Sequence, residues 1–398
     1  MNAVEILKDI YWVGCVDYDH YDFHGYSKSP EGTTYNAYFI KDEKNTLIDT
    51  VAPGKAGTLL CRLGHVIKPE QVDYLVINHM ELDHEGSLCE VISACKPEKI
   101  FCSTMALKSM AGYYGDKMKD WPVQAVKSGD KISIGKHTLV FQETRMLHWP
   151  DSMVTYCPEA KILFSQDAFG QNIAGTERFV DEHEHGDFIR RAKEYYFNIV
   201  LPYSPQVLKT LPVVRSLDID MIAPDHGLIS RNESVKEIID LYETMAEQKP
   251  RKRAVIIYDT MWHSTEQMAY AVCSGFEDNG VPATVMSCKA NHHSAIMTAL
   301  SDASCLVVGS PTHNNTILPY VMSALTYIKG LRPKILVGGA FGWSGESPKV
   351  LQQFLADMKI ELPCEPVRVN WRPGHEGLKK AYELGASLAK ALKAKCGE

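Results

Sequence analysis

The chain has 398 residues, 45% of them hydrophobic and 23% charged, with a formal net charge of -7. That length suits two or three domains with sizeable cores. The acidic balance lacks the basic footprint of a nucleic-acid-binding protein, and no apolar run reaches the ~20 residues of a membrane helix.

No signal peptide is expected, because residues 1–5 lead straight into strand-like sequence. A soluble, cytoplasmic protein with no membrane and no nucleic-acid partner is the expectation. The eleven cysteines form no C-x-x-C pair, so they match neither a zinc ribbon nor a rubredoxin knuckle. Most lie inside apolar runs, as small buried hydrophobes of a reducing compartment do.

In chain order, residues 35–40 and 46–50 read as strands flanking the turn at 41–45, a hairpin signal. Further strands are expected at 73–77, 98–102, 137–142, 153–156 and 161–165. Helices are expected at 55–65, 86–95, 104–114, 187–200, 205–217 and 235–246. That mix suggests strands packed in layers with helices outside. Around Lys249-Pro250-Arg251-Lys252-Arg253 the pattern changes, since proline ends a helix and biases its neighbour to extended geometry. A domain boundary is placed near residue 250. Beyond it, strands at 254–258, 282–287, 304–309, 334–340 and 365–369 alternate with helices at 265–279, 294–301, 318–329, 347–358 and 376–395. Regular alternation of this kind points to a doubly wound parallel sheet.

The segment His79-Met80-Glu81-Leu82-Asp83-His84 puts two imidazoles and two carboxylates directly after the apolar run Tyr74–Ile77. Imidazole suits several transition metals and carboxylate harder cations, so the mixture favours iron over zinc. His79, Glu81 and Asp83 alternate, and an extended backbone would aim all three to one side. His148, Asp167 and His226 also stand just beyond apolar strands, where loops gather at one edge of a sheet. A single such histidine is ordinarily a satisfied polar residue, and a short acidic loop a solvated turn. Four strand-end positions with complementary donors read as a metal site.

In the second half, the strand ending at Tyr258-Asp259 leads into Thr260-Met261-Trp262-His263-Ser264-Thr265, and a helix follows. Hydroxyls and amides at a helix N-terminus form an anion site, although a Thr/Ser-rich loop is often only a helix cap. The loop carries no Lys or Arg, unlike a Walker P-loop. Pro311-Thr312-His313-Asn314-Asn315 follows the third strand, and Ala340-Phe341-Gly342-Trp343-Ser344-Gly345 the fourth. Open α/β sheets bind ligands at such carboxyl ends. Trp343 is a candidate shield for a flavin ring, or mere packing.

The pattern His79-x-Glu81-x-Asp83-His84, with His148, Asp167 and His226 in this order, resembles the metallo-β-lactamase-like domain of flavodiiron proteins. Related hydrolases carry His, suited to zinc, where Glu81 stands. The three loops of the second half are similar to the flavodoxin-like domain of the same family, so the resemblance spans essentially the whole chain. It departs in one place: Phe341, Gly342 and Trp343 are contiguous, which makes the third loop a few residues shorter than the family pattern.

The resemblance implies a mixed α/β and α+β chain. Residues 1–250 would form a metallo-β-lactamase-like αββα domain, and 251–398 a flavodoxin-like doubly wound parallel sheet binding FMN. It implies that His79, Glu81 and His148 bind one iron, Asp83 and His226 the other, and Asp167 bridges, with His84 a further possible ligand. His24 and Tyr195 are candidates to line the diatomic-binding pocket. His24 would donate a hydrogen bond or proton, or is a plain loop histidine. The implied function is reduction of O2 to water, NO to N2O, or both, in a head-to-tail homodimer or a dimer of dimers. Electrons would come through FMN from a separate donor such as rubredoxin. Two rivals remain at this point: a zinc hydrolase fused to a flavodoxin-like module, and a flavin-based electron carrier or gas sensor.

Overall fold

The computed structural model describes residues 1–343 and 345–397. Ser344, one position of the third candidate flavin loop, lies outside them. The chain divides into two compact units. The first comprises Met1–Gly25, Ser29–Tyr196 and Tyr203–Ala246; the second comprises Tyr26–Lys28, Phe197–Pro202 and the chain from Glu247 onward.

The first unit is built on two sheets. One has seven strands and runs from Val4–Leu7 at one edge to Val123–Val126 at the other, with Tyr74–Ile77 between Thr46–Ile48 and Lys99–Ser103. The other has six strands and includes Met153–Cys157, Ile162–Gln166 and Met221–Pro224. Strand alternation assigns side chains to layers. In Tyr74–Ile77, Val76 joins a core shared with Phe141, Phe164 and Ala223 of the second sheet. Leu75 and Ile77 join a separate core with Leu59, Leu88, Val91 and Met110, carried by helices. The strand is therefore buried on both faces, which is why it reads as a continuous apolar run.

The expected strand at 35–40 is two strands. Thr33–Tyr35 pairs with Cys15–Asp17, while Tyr38–Ile40 pairs with Thr46–Ile48 in the seven-stranded sheet. The break falls at Asn36, whose backbone N–H donates to the Asp225 carbonyl at 2.7 Å. Its side-chain amide donates to the carbonyls of Pro224 (2.7 Å) and Gly227 (3.1 Å). The helix expected over 187–200 is α-helical only over His185–Tyr195 and continues as a π-helical turn, Tyr196–Val200.

In the second unit five parallel strands stand in the order Ala283–Ser287, Ala254–Tyr258, Cys305–Pro311, Val337–Trp343, Val367–Val369. Numbered along the chain this is 2-1-3-4-5, a doubly wound order whose switch point lies between the first and third strands. The fourth strand runs later than expected, because its pairing with the third continues to Pro311 opposite Trp343. No helix among the described residues is long and apolar enough to cross a membrane.

Candidate metal centre and flavin site

The carboxyl ends of Tyr74–Ile77, Ile162–Gln166 and Met221–Pro224, with the loop before Met153, bring seven donors together. His79, Glu81, His148 and Asp167 form one group; Asp83, His84 and His226 form the other. Asp167 faces both. Its Oδ2 lies 3.2 Å from His79 Nε2 and 3.0 Å from His148 Nε2. Its Oδ1 lies 3.0 Å from His84 Nε2 and 3.3 Å from His226 Nε2. Glu81 Oε2 is 3.3 Å from both His79 and His148, and Asp83 Oδ2 is 3.2 Å from His226.

The extended reading of 79–83 holds only as far as Glu81, which has φ -71° and ψ 144°. Asp83 and His84 sit in a one-turn helix, Leu82–Glu85, so Asp83 leaves the side taken by His79 and Glu81 and turns with His84 toward His226.

This donor set fits two metal ions. Donors each about 2.1 Å from an octahedral ion lie about 3.0 Å apart, the separation found around Asp167. Asp83 Oδ1 and His226 Nε2 are buried and, although charged neighbours lie 3.2–3.5 Å away, neither makes an aligned hydrogen bond, a costly arrangement unless a cation takes them. Burial alone would lower the imidazoles and raise the carboxylates. Their facing charges outweigh it, holding His79, His84 and His148 above the ordinary range and Glu81, Asp83 and Asp167 below theirs.

Further residues orient the donors, and sequence reading did not find them. Asp151 Oδ2 lies 3.2 Å from His79 Nδ1 and accepts the Met80 N–H at 2.7 Å. The Thr34 carbonyl is 2.7 Å from His226 Nδ1. A ring whose Nδ1 is engaged in this way presents Nε2 to a metal. Asp151 stands three residues after His148 in the same loop, which is the signal that was available. Beneath the cluster, burial pushes Asp49 up to about 6 and raises Glu85 and Asp225 strongly.

Tyr195 is 2% exposed, and its hydroxyl donates to Asp167 Oδ1 at 3.0 Å. His24 Nε2 lies 2.8 Å from Glu81 Oε1. Phe23 packs edge-on against both His24 and His226, with ring centroids 4.2 and 5.2 Å away, so an apolar wall adjoins the donors.

In the second unit, the loop 259–263 leads into the helix Ser264–Glu277, whose N-terminal amides receive no side-chain cap. His263, at φ 64°, instead pairs with Glu266 at 2.7 Å. Uncapped N–H groups of this kind suit a phosphate. Trp262 is 87% exposed, whereas Thr265 is buried. Asn314 and Asn315 both take positive φ in a two-residue turn closed by reciprocal His313–Thr316 backbone bonds. Asparagine tolerates that geometry. The Thr312 hydroxyl donates to the Trp343 carbonyl at 3.1 Å, joining the second loop to the third. Pro311 ends the third strand and is buried, as are Ala340 and Phe341 inside the fourth; Gly342 and Trp343 close that strand. Trp371 stacks edge-on to Trp343 at 5.6 Å and is 76% exposed, a second aromatic that sequence reading missed.

These two sites define a two-domain flavoprotein with a histidine and carboxylate dinuclear metal centre. Residues 33–227 match the family described as "ODP family beta lactamase", and residues 256–385 match flavodoxin. The solved rubredoxin oxygen:oxidoreductase from the anaerobe Desulfovibrio gigas is 49% identical, with a TM-score of 0.97 covering 100% of both chains. The flavodiiron protein from Giardia intestinalis is 32% identical, with a TM-score of 0.95 covering 100% of this chain and 98% of that one. A nitric oxide reductase of Moorella thermoacetica is 41% identical over 395 residues, 98% of each chain. The chain belongs to the flavodiiron proteins, and its cofactors are FMN and a di-iron centre.

Proposed function

We propose that this chain reduces O2 to water, NO to N2O, or both, as a cytoplasmic enzyme that receives electrons from a separate small donor such as rubredoxin. The observation that carries it is Asp167, each of whose oxygens faces a different imidazole pair. His79, Glu81 and His148 would hold one iron, Asp83, His84 and His226 the other, with Asp167 between them. A di-iron centre held there would supply electrons to a diatomic ligand, and FMN would supply electrons to the irons. The chain's own residues do the rest. Asp151 and the Thr34 carbonyl fix the tautomers of His79 and His226. Tyr195 holds Asp167 through its hydroxyl hydrogen, and His24 places an imidazole against Glu81. Phe23 keeps water from that side.

For the flavin, Thr260, Met261, Trp262, His263, Ser264 and Thr265 would surround the phosphate. Pro311, Thr312, His313, Asn314, Asn315, Ala340, Phe341, Gly342 and Trp343 would frame the ring. The domain boundary is assigned near residue 250, between the two matched families. The eleven cysteines, all free, accord with a reducing cytoplasm. The assembly is taken to be a head-to-tail homodimer.

Elemental analysis with steady-state turnover tests the reading. Two irons per chain, negligible zinc and sustained consumption of O2 or NO with reduced rubredoxin are expected. Two zincs with hydrolytic activity would establish the hydrolase instead, and a single turnover a sensor. The ratio of kcat/KM for O2 and NO with one donor then ranks the substrates.

A further inference from the structure

In the first unit a cavity of about 450 Å³, open to solvent on one side, lies beside Trp12. Two guanidiniums lie over that indole. Arg62 Cζ lies 4.7 Å and Arg178 Cζ 4.4 Å from a ring centroid of Trp12. Arg62 comes from the last turn of the helix Ala56–Leu63, and Arg178 from the segment before the bridge Phe179–Ile229. Lys55 and Thr58 line the same space.

Arginine is almost never this buried without a carboxylate partner, yet Arg178 is 8% exposed. Among the described residues, neither guanidinium has a carboxylate within ion-pair distance. Arg178 donates to the Gly175 carbonyl and Arg62 to the Asn2 carbonyl, both neutral. Arg62 Nε is buried with no acceptor at all. Lys55, in contrast, is neutralised by Asp17 at 2.9 Å. Burial and the charge of Arg62 both push the pKa of Arg178 down, and Glu177 opposes this more weakly. The indole N–H is committed to Asn36 Oδ1 at 2.8 Å, so Trp12 is a fixed shelf and not itself a donor to a ligand.

Two unpaired planar forks on an aromatic shelf, beside a hydroxyl, are the chemistry that recognises a tetrahedral oxoanion. Two uncompensated positive charges call for a dianion. The volume exceeds what one such group fills and lies in the range of small-molecule sites. We propose that this cavity binds a phosphate group, free or as the monoester of a small organic molecule, between Arg62 and Arg178. None of the residues lining it is a metal donor or belongs to the flavin phosphate loop.

The test is calorimetric titration of the iron- and FMN-loaded protein, in a buffer free of multivalent anions. Inorganic phosphate and phenyl phosphate are titrated separately. Saturable binding is expected, weakened at least tenfold by Arg62→Gln and lost in Arg178→Gln, with Lys209→Gln unchanged. Equal affinities mark free phosphate as the ligand; a tenfold preference for phenyl phosphate marks a monoester. Should Arg178→Gln fail to fold, the half-exposed Arg62→Gln decides. Without phosphate its melting temperature should equal or exceed that of the parent, and the rise that phosphate gives the parent should be absent. No binding of either compound, or binding that both arginine variants leave intact, would overturn the proposal.

Discussion

Each oxygen of Asp167 faces a different imidazole pair, so removing this carboxylate takes a donor from both groups at once. Asp167→Ala should lose both irons while keeping a full complement of FMN, read by elemental analysis and the flavin absorption band. Loss of flavin with retained iron would mean that Asp167 does not bridge. Asp151 acts at one remove, through His79 Nδ1. Asp151→Ala should weaken iron binding about 10–100-fold, the usual effect of losing an orienting partner, and excess iron should refill the site. The donors themselves were legible because they follow apolar strands at short, regular spacing. The contacts of Asp151 with His79 and of His24 with Glu81 were not, because each joins segments far apart in the chain. His84 needed the one-turn helix Leu82–Glu85 to place it beside His226.

At the scale of elements, two glycines let the helices Ser264–Glu277 and Gly374–Cys396 touch. A Cβ on Gly385 would lie 2.0 Å from the Val272 carbonyl oxygen, and one on Gly275 would lie 2.2 Å from that of Tyr382. Mid-helix Gly→Ala ordinarily gains about 1 kcal/mol, but forced overpacking costs about 1–3 kcal/mol. Backbone cannot yield as a side chain can, so Gly385→Ala should destabilise the flavodoxin-like unit. FMN should be released at lower temperature; an unchanged or raised release temperature would sink the idea. In sequence these glycines only weaken a helix signal, since the facing backbone is supplied by another segment. The turn 41–45 was readable as a hairpin, but its tie to Lys136 and His137 was not. Asp42 there accepts hydrogen bonds from Glu43 N (2.8 Å), Lys136 N (3.0 Å), His137 N (3.0 Å) and His137 Nδ1 (2.7 Å). Burial would raise its pKa, and these donors outweigh that and lower it. A lowered carboxylate stabilises fully above its unfolded value near pH ~4 and loses that stability as pH falls through the folded value. Asp42→Asn should therefore cost about 1–3 kcal/mol at pH 7. Its deficit, measured by urea unfolding, should shrink below about pH 4. A deficit that stays constant would show that charge at Asp42 does not matter.

For the whole molecule, the proposed dimer makes a demand that neither unit makes alone. If each flavin serves the irons of the partner subunit, a chain without iron and a chain without flavin should rescue one another. Asp167→Ala supplies the first. Ser264→Glu supplies the second: a carboxylate at the start of the helix favours the helix itself but repels a phosphate bound at its uncapped amides. Each variant alone should be inactive. After mixing, with exchange of subunits, half of the dimers pair unlike chains. Each such dimer then has one complete flavin and iron pair of the two possible, so activity should return to about a quarter of the parent's for a two-fold assembly. Exchange can be verified by a mass tag on one variant. Rescue that appears with the time course of exchange supports the head-to-tail arrangement. Complete exchange with no activity would mean that each flavin serves the irons of its own chain, and the dimer would then have no part in electron delivery.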